Sequence, residues 1–467
     1  MLSDDKAIAQ ARLLKGYQDA ERRQLDVIRR YWKGRQKLPA VIPTSSPAVV
    51  KTMARIARVN FTPIIVDSLS QSLFVDGFRG KSNDAENADV WRIWQANKLD
   101  ARQTGIHRAA LAYGTAYAVV TPGEPVAVIR GVSPRHMTAM YGEDPDWPIF
   151  ALERFGKGTW RLYDETAVYF LASGKNDDGK FEFIEAREHG AIAGGVPVTP
   201  VVRYIDEDDL DDGDEASAEM GDRSWDPMPT RGQIAPMTSL QDQVDLTTFG
   251  LLVAQHYSAF RQRYVIGWVP EDEAQRMKAS ASQLWTFEDA ADGSAAAAAG
   301  EGIKVGEFGQ TDLGGYIESR EASLRHAATL SQTPVHELLG ELVNLSAEAL
   351  AAAENGHERK VDERKTLFGE SHEQTLRLAG ELSSISVPDD AQVVWRDTSA
   401  RTFAATVDAL GKLVTMLGVP PQELWQKIPG VTQQDVERWR AEAQSGDAFA
   451  QLQALLEKQA APPVAGG

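Results

Sequence analysis

The chain has 467 residues, more than one ordinary hydrophobic core holds, so two or more packed units are expected. Its 43% hydrophobic and 25% charged residues are those of ordinary soluble protein, and the lack of cysteine excludes disulfides and thiolate metal sites, which suits a reducing compartment. A formal charge of −18 argues against a surface that grips nucleic acid broadly, though not against one past which nucleic acid slides.

No apolar run is long enough to span a bilayer, and the opening M-L-S-D-D-K is too acidic and polar for a signal peptide. Residues 5–31 read as one amphipathic helix rich in Arg and Lys, ended by Tyr31-Trp32-Lys33-Gly34-Arg35 and Leu38-Pro39. Pro43, Pro47 and a serine pair then make a loop. Residues 59–79 (V-N-F-T-P-I-I-V-D-S-L-S-Q-S-L-F-V-D-G-F-R) read as a helix running into a strand. Gly80-Lys81-Ser82 has the wording of a phosphate-loop tail, but the full motif needs a glycine where Val75 stands, so ATP binding is not assigned. Residues 90–100 (V-W-R-I-W-Q-A-N-K-L-D) lead into a second helix that stops at Gly114. Its tryptophan spacing is read as core packing, because base stacking needs a basic patch that is missing beside it.

From Thr115 to His189 the period changes to that of strands. Seven short apolar runs are separated by P-G, D-P, G-K-G and D-D-G turns, which predicts an antiparallel sheet. Residues 205–220 are acidic and read as a solvated, mobile loop. A calcium loop drawn from Asp208 through Gly213 to Glu219 fails because Leu210 cannot ligate. A strong helix opens at Thr238, with Gln241 completing a capping box. Leu240, Val244, Leu251 and Ala254 make its stripe; Phe249, Leu252, Val253, His256, Tyr257 and Phe260 widen it, which implies burial on more than one side.

Residues 268–308 hold Trp268, a polar segment, Trp285 and Phe287, the low-complexity D-G-S-A-A-A-A-A-G-E-G, and a returning strand at 303–308. A helix over 311–333 places Leu313, Ile317, Leu324 and Ala328 on one face, and Pro334 stops it. An apolar loop follows, then a long charged helix capped by Asn344 or Ser346, with Leu350, Val361, Phe368 and Leu378 as its sparse stripe. So polar a long helix implies neighbouring copies packed against it. Residues 392–397 are a strand able to rejoin the sheet; helices over 402–417 and 432–443 flank G-V-P-P-Q-E-L-W-Q-K-I-P-G, and the tail is expected to be disordered.

Catalytic patterns are thin. His336-Glu337-Leu338-Leu339-Gly340 lacks the second histidine of a zinc-protease motif, and no G-x-S-x-G elbow occurs. No catalytic, cofactor-binding or metal-binding residue is assigned, no cofactor is expected, and no zinc finger, basic helix or arginine cluster of a nucleic-acid reader is present.

These words, taken in order, resemble the portal proteins of tailed bacteriophages, in the group infecting Gram-positive and actinobacterial hosts. Ile65, Val66, Asp67, Leu69, Leu73, Val75, Gly77 and Phe78 match the segment "VVDxxAxxLxVxGF". The "WxxWQxNxLD" and "ALxYG" words, Ser133-Pro134 with Tyr141, the R-Q-R-Y-V-I-G ending, Ser331-Gln332-Thr333-Pro334 and the start at Asn344-Leu345-Ser346 follow. The resemblance implies an α+β portal fold that assembles as a ring, usually of twelve copies. It has a wing with an antiparallel sheet (1–237), stem helices (238–262 and 311–333), a small clip (263–310), a tunnel loop (334–345), a long helix and returning strand (346–397) and a helical crown (398–460).

By that resemblance the tunnel loop puts His336, Glu337, Leu338, Leu339, Glu341, Leu342, Val343 and Asn344 toward DNA. Leu240, Val244, Leu251, Leu313, Ile317 and Leu324 would pack the stem, and Trp268, Trp285 and Phe287 would meet clip partners. The implied partners are further copies of the chain, double-stranded DNA passing without sequence-specific binding, terminase, head–tail adaptors, and capsid and scaffolding proteins, with no membrane. The implied place is the portal vertex of the virion, and the host cytoplasm during assembly. Hydrolysis of ATP would be left to the motor, so no enzyme is expected. Two other readings stay open: another structural protein of a phage head or connector, and a metal-dependent hydrolase using the acidic loop.

Overall fold

The computed structural model describes residues 1–40, 42–80, 84–174, 180–207, 232–259, 263–266, 273, 284–287, 304–307, 313–340, 347–396, 403–428, 431, 435–436 and 438–443. Its helices are α1 (Asp4–Trp32), α2 (Ala48–Ile56), α3 (Thr62–Ser72), α4 (Asp84–Ala96), α5 (Leu99–Tyr113), α6 (Thr238–Ala259), α7 (Gly314–Ser331), α8 (Val335–Leu339), α9 (Ala347–Ser383), α10 (Phe403–Leu417) and α11 (Pro421–Leu424). Its strands are β1 (Val75–Arg79), β2 (Thr115–Thr121), β3 (Val128–Val132), β4 (Met137–Tyr141), β5 (Pro148–Gly156), β6 (Thr159–Tyr163), β7 (Ala167–Ser173), β8 (Phe181–Glu188), β9 (Ile192–Ala193), β10 (Val196–Pro197), β11 (Val201–Ile205), β12 (Arg263–Ile266), β13 (Leu284–Phe287), β14 (Lys304–Glu307) and β15 (Gln392–Trp395). The class is α+β. Two compact units form: Met1–Ile28 with Val66–Ala235 and Asn355–Gly467, and Arg29–Ile65 with Pro236–Glu354.

In the first unit the expected single sheet is two. Strands β4 to β8 form a five-stranded meander, while β2 lies between β3 and β11 in a separate three-stranded sheet. The break falls between β3 and β4, where Pro134 has no N–H to give a ladder. One face of the meander takes α1: Ala7, Ala11 and Leu14, spaced four and three apart, pack on Leu152, Trp160, Leu162, Tyr169, Leu171 and Phe181. Small alanines let the helix lie close, and burying Leu14 contributes roughly 1.5–3 kcal/mol. Farther along α1, buried Glu21 accepts a bond from Thr138 Oγ1 at 2.8 Å, and Asp26 pairs with Arg135 at 2.5 Å. Across the other face, Ala151, Tyr163 and Val168 meet Tyr117, Val119, Val132 and Val201 of the smaller sheet.

Helix α9 corrects its expectation. Within this unit Val361, Phe368, Leu376 and Leu378 are buried, so its C-terminal half is covered by its own subunit. The polar residues between them are paired. Arg364 Nε donates to Asp206 Oδ1 at 3.2 Å and its Nη2 to Glu207 at 2.7 Å; Gln233 Nε2 donates to Asp206 Oδ2 at 2.5 Å, while Gln233 Oε1 accepts from Lys360 Nζ. Asp206, read as part of a solvated loop, is therefore fully buried. Burial pushes its carboxyl up to about 6, with the Arg364 guanidinium pulling the other way. The remainder of that acidic stretch, and the trial calcium loop, lie outside the described residues.

A second polar chain crosses the core of this unit. His107 Nδ1 faces the Leu73 carbonyl at 3.1 Å, which only accepts, so Nδ1 carries the proton and Nε2 accepts. His372 Nε2–H then donates to His107 Nε2 at 2.8 Å, and Tyr204 donates its hydroxyl proton to His372 Nδ1 at 3.0 Å. Burial lowers His107 to about 4 and holds His372 well below the usual imidazole range.

Gly232 passes the end of α5 so closely that a Cβ there would lie 2.3 Å from the Gly114 nitrogen. Strand β15 does not join either large sheet; it pairs with β1 alone, antiparallel. Helix α2, strand β11 and the β9–β10 hairpin were not expected from the sequence.

Candidate functional site

The second unit is organised on α6 and α7. Its core gathers Ile65, Met237, Leu240, Ala327, Ala328 and Leu338, with Phe61 and Ile64 against it. Helices α6 and α7 lie close at Gly250, where a Cβ would come 2.9 Å from the Tyr316 ring. Of the expected stem residues, Leu240, Val244 and Leu324 are buried, while Leu251 and Leu313 are half-buried. Ile317 is 42% exposed in the single chain. It shares that exposure with Tyr316, Leu246 at 47% and Leu330 at 65%. A shallow groove runs over Leu246, Phe249, Gly250, Gly315, Tyr316 and Ser319.

Gln241 does not close the expected capping box. Its Oε1 accepts from the Phe61 N–H at 3.0 Å, and its Nε2 donates to the Val59 carbonyl and to Asp245 Oδ1 at 2.9 Å. Asp245 also accepts from Gln36 Nε2 at 3.0 Å and from the Val59 N–H at 3.2 Å. Tyr31 adds a bond to Asp242 at 2.9 Å, and burial pushes its phenol up to about 12. Burial likewise raises the Asp245 carboxyl, against the three donors that lower it. Residues 29–65 thus brace the start of α6. The sequence signal was Asp242 and Asp245 three apart on an otherwise apolar helix; their partners lie about two hundred positions away in sequence and cannot be read from it.

Helix α7 ends before the proline predicted to stop it. Gln332 takes a left-handed φ of 53°, and the Thr333 N–H returns to the Ala328 carbonyl at 3.0 Å, closing the last turn. Pro334 then opens α8, so Val335–Leu339, expected as loop, is helical, and it ends at Gly340 with φ 71°. Leu338 is buried in the core of this unit, which removes it from the expected channel lining. Glu337 is exposed and His336 and Leu339 are half-buried; Glu341, Leu342, Val343 and Asn344 lie outside the described residues.

Between α6 and α7 stands a three-stranded sheet with β12 in its middle, parallel to β13 and antiparallel to β14. Trp285 and Phe287, expected in a loop, are on β13, opposite Tyr264 and Ile266. The Tyr264 ring covers Gly306, where a Cβ would lie 2.4 Å from it. Trp268 lies outside the described residues. No described helix is long and apolar enough to cross a membrane, and no group of three or more metal-ligating side chains occurs among the described residues. Among its described residues the unit offers partly exposed apolar helix faces and a small mixed sheet.

A sequence model of the family described as "Phage portal protein, SPP1 Gp6-like" matches residues 12–447. The portal protein of Mycobacterium phage D29 is 26% identical over 466 residues, covering 94% of this chain and 89% of that protein. That of Mycobacterium phage L5 is 24% identical over 480 residues, with the same coverage. Among solved structures, a chain from the virion of a native gene transfer agent is similar at a TM-score of 0.43 and 12% identity, covering 84% of this chain and 97% of that one. A chain from the neck of an empty particle of that kind is similar at 0.42 and 13%, covering 82% and 92%.

Proposed function

We infer the role of this chain from its family, since it belongs to the SPP1 Gp6-like phage portal proteins. It is a virion protein of the capsid vertex that serves DNA packaging and ejection, and it works with the capsid and the DNA machinery. The observation that carries this is the family match across 12–447, nearly the whole chain.

The finer reading is our own. Copies of the chain close into a ring, twelve in number, with α6 and α7 as the stem around a bore. Support comes from the apolar groups that a single subunit leaves open on these helices, Leu246, Tyr316, Ile317 and Leu330. Segment 263–310, with its three-stranded sheet, is the clip that meets terminase during packaging and head–tail adaptors afterwards. Glu337 and the residues after Gly340 face the DNA. Residues 1–237 and 346–397 supply the wing, and 398–460 the crown.

The chain catalyses nothing in this reading. Terminase supplies the energy, and the portal guides DNA by size and by repulsion from acidic side chains, because ion pairs with phosphate would add affinity that slows a conduit. The test is location in the particle. Virions carrying an epitope-tagged copy, labelled with gold antibody, should show label at one vertex per head. Label spread over many vertices, or confined to the tail tip, would refute the reading.

A further inference from the structure

One face of the five-stranded sheet, with Arg130 of β3 from the smaller sheet beside it, carries an alternating row of guanidinium groups and phenyl rings. Across the strands from β3 to β8 the order is Arg130, Phe155, Arg161, Phe170, Arg187. Arg161 lies 3.6 Å from the centre of the Phe155 ring and 5.3 Å from that of Phe170. Arg130 lies 5.3 Å from Phe155, and Arg187 5.1 Å from Phe170. Strand register makes the row: Arg161 stands opposite Phe170 between β6 and β7, and Val168 opposite Arg187 between β7 and β8.

The outer two cations already have carboxylates. Arg130 is bonded by both terminal nitrogens to Glu153, and Arg187 reaches Glu185 at 2.6 Å. Arg161 differs, with no carboxylate in ion-pairing range among the described residues. Beside the row a cleft is lined by Arg130, Ser133, His136, Glu153, Arg154 and Lys157. Counting Arg130, Arg154, Lys157, Arg161 and Arg187 against Glu153 and Glu185 gives 5 − 2, or +3, on a chain whose total is −18. Phe155 is nevertheless 49% exposed in the middle of this charge.

We propose that this row is a docking site for an acidic peptide segment of a protein partner, with carboxylates received by the edge of Arg161 and an apolar side chain received by Phe155. Stacking holds a guanidinium by its face and leaves its N–H edge free, and that edge matches a carboxylate in two parallel bonds. The rings also fix the Arg161 side chain in advance, so less freedom is lost on binding. A nucleic acid fits less well. Arg161 already covers one face of Phe155, so a base cannot be sandwiched there, a duplex backbone offers the rings no apolar surface, and the total charge repels a long polyanion.

The test uses the full-length protein and fluorescence anisotropy of a fluorescein-labelled peptide of repeated Glu-Glu-Leu triplets, with a Gln-Gln-Leu peptide as control. The Glu peptide should bind, weaken as salt rises, and lose about fivefold or more in affinity with Arg161→Gln. Arg161→Lys keeps the charge but loses the planar fork, and should recover only part of that loss; unchanged circular dichroism melts verify that both variants fold. Absent binding by the wild type, equal binding by Arg161→Gln, or tighter binding of a single-stranded oligonucleotide would overturn the proposal. So would a change in particle mass with Arg161→Gln, which would make a second copy of this chain the occupant.

Discussion

Arg364, from the long helix α9, donates through Nε to the buried Asp206 at the end of β11, 3.2 Å away. Neither side chain is reached by solvent to any useful extent. Arg364→Ala leaves a carboxylate buried without its cation and should cost about 3–5 kcal/mol. Asp206→Asn removes the charge and keeps most of the hydrogen bonding, so it should cost less. Urea melts of the two variants measure both, and a loss under about 1 kcal/mol for Arg364→Ala would mean that α9 is held by its apolar residues alone.

Acid should loosen the first unit through His107 and His372. Both stay neutral when folded, His107 lowered to about 4 and His372 held well below the usual imidazole range by burial, whereas an unfolded imidazole takes its proton near 6.5. The stabilisation is complete above that unfolded value and is lost as pH falls toward the folded ones, at roughly 1.4 kcal/mol per pH unit for each ring. Asp206 acts oppositely: raised to about 6, it favours the fold below its unfolded value and loses that contribution as pH rises through about 6. Two imidazoles outweigh one carboxyl, so the melting temperature should drop between pH 6.5 and pH 4.5, and His372→Gln should flatten the drop. A melting temperature that rises over that interval would show that one or both rings ionise in place.

Ile317 and Leu324 lie on the same helix and should respond differently. Ile317 is exposed in the single chain, so Ile317→Asp should change subunit stability by no more than about 0.5 kcal/mol while blocking assembly. Leu324 is buried, so Leu324→Asp puts a charge in the core and should unfold the unit. Light scattering and thermal melts separate the two effects. Full-sized particles from Ile317→Asp would mean that this face is not covered by a neighbour.

The channel reading puts Glu337 and Glu341 against DNA. Changing both to Lys should leave particles intact and slow packaging, most at low salt, because exposed charges act only within about a Debye length, ~8 Å at physiological salt. Wild-type rates at low salt would show that DNA does not pass this turn.

Elements with a clear period were legible in the sequence. Residues 5–31 and 238–260 were read as helices and are helices within a residue or two, and all seven strand runs of residues 115–189 are strands. What stayed hidden were partners far apart in the chain. Nothing local reveals that Asp206 would be buried by Arg364, that Gln241 would cap Phe61 and not its own helix, or that β15 would choose β1. The Arg–Phe row was missed for the same reason, since its five members come from five strands and form no cluster in sequence. In the candidate site, buried Leu240, Val244 and Leu324 followed the helical period, but Leu338 did not, because a five-residue helix is too short to show one.

Negative-stain microscopy of the purified full-length protein shows whether its copies close into a ring. Closed rings with a central hole, wide enough for a DNA duplex, are expected. Monomers or open, irregular clusters at high concentration, with scaffolding protein supplied, would contradict ring closure.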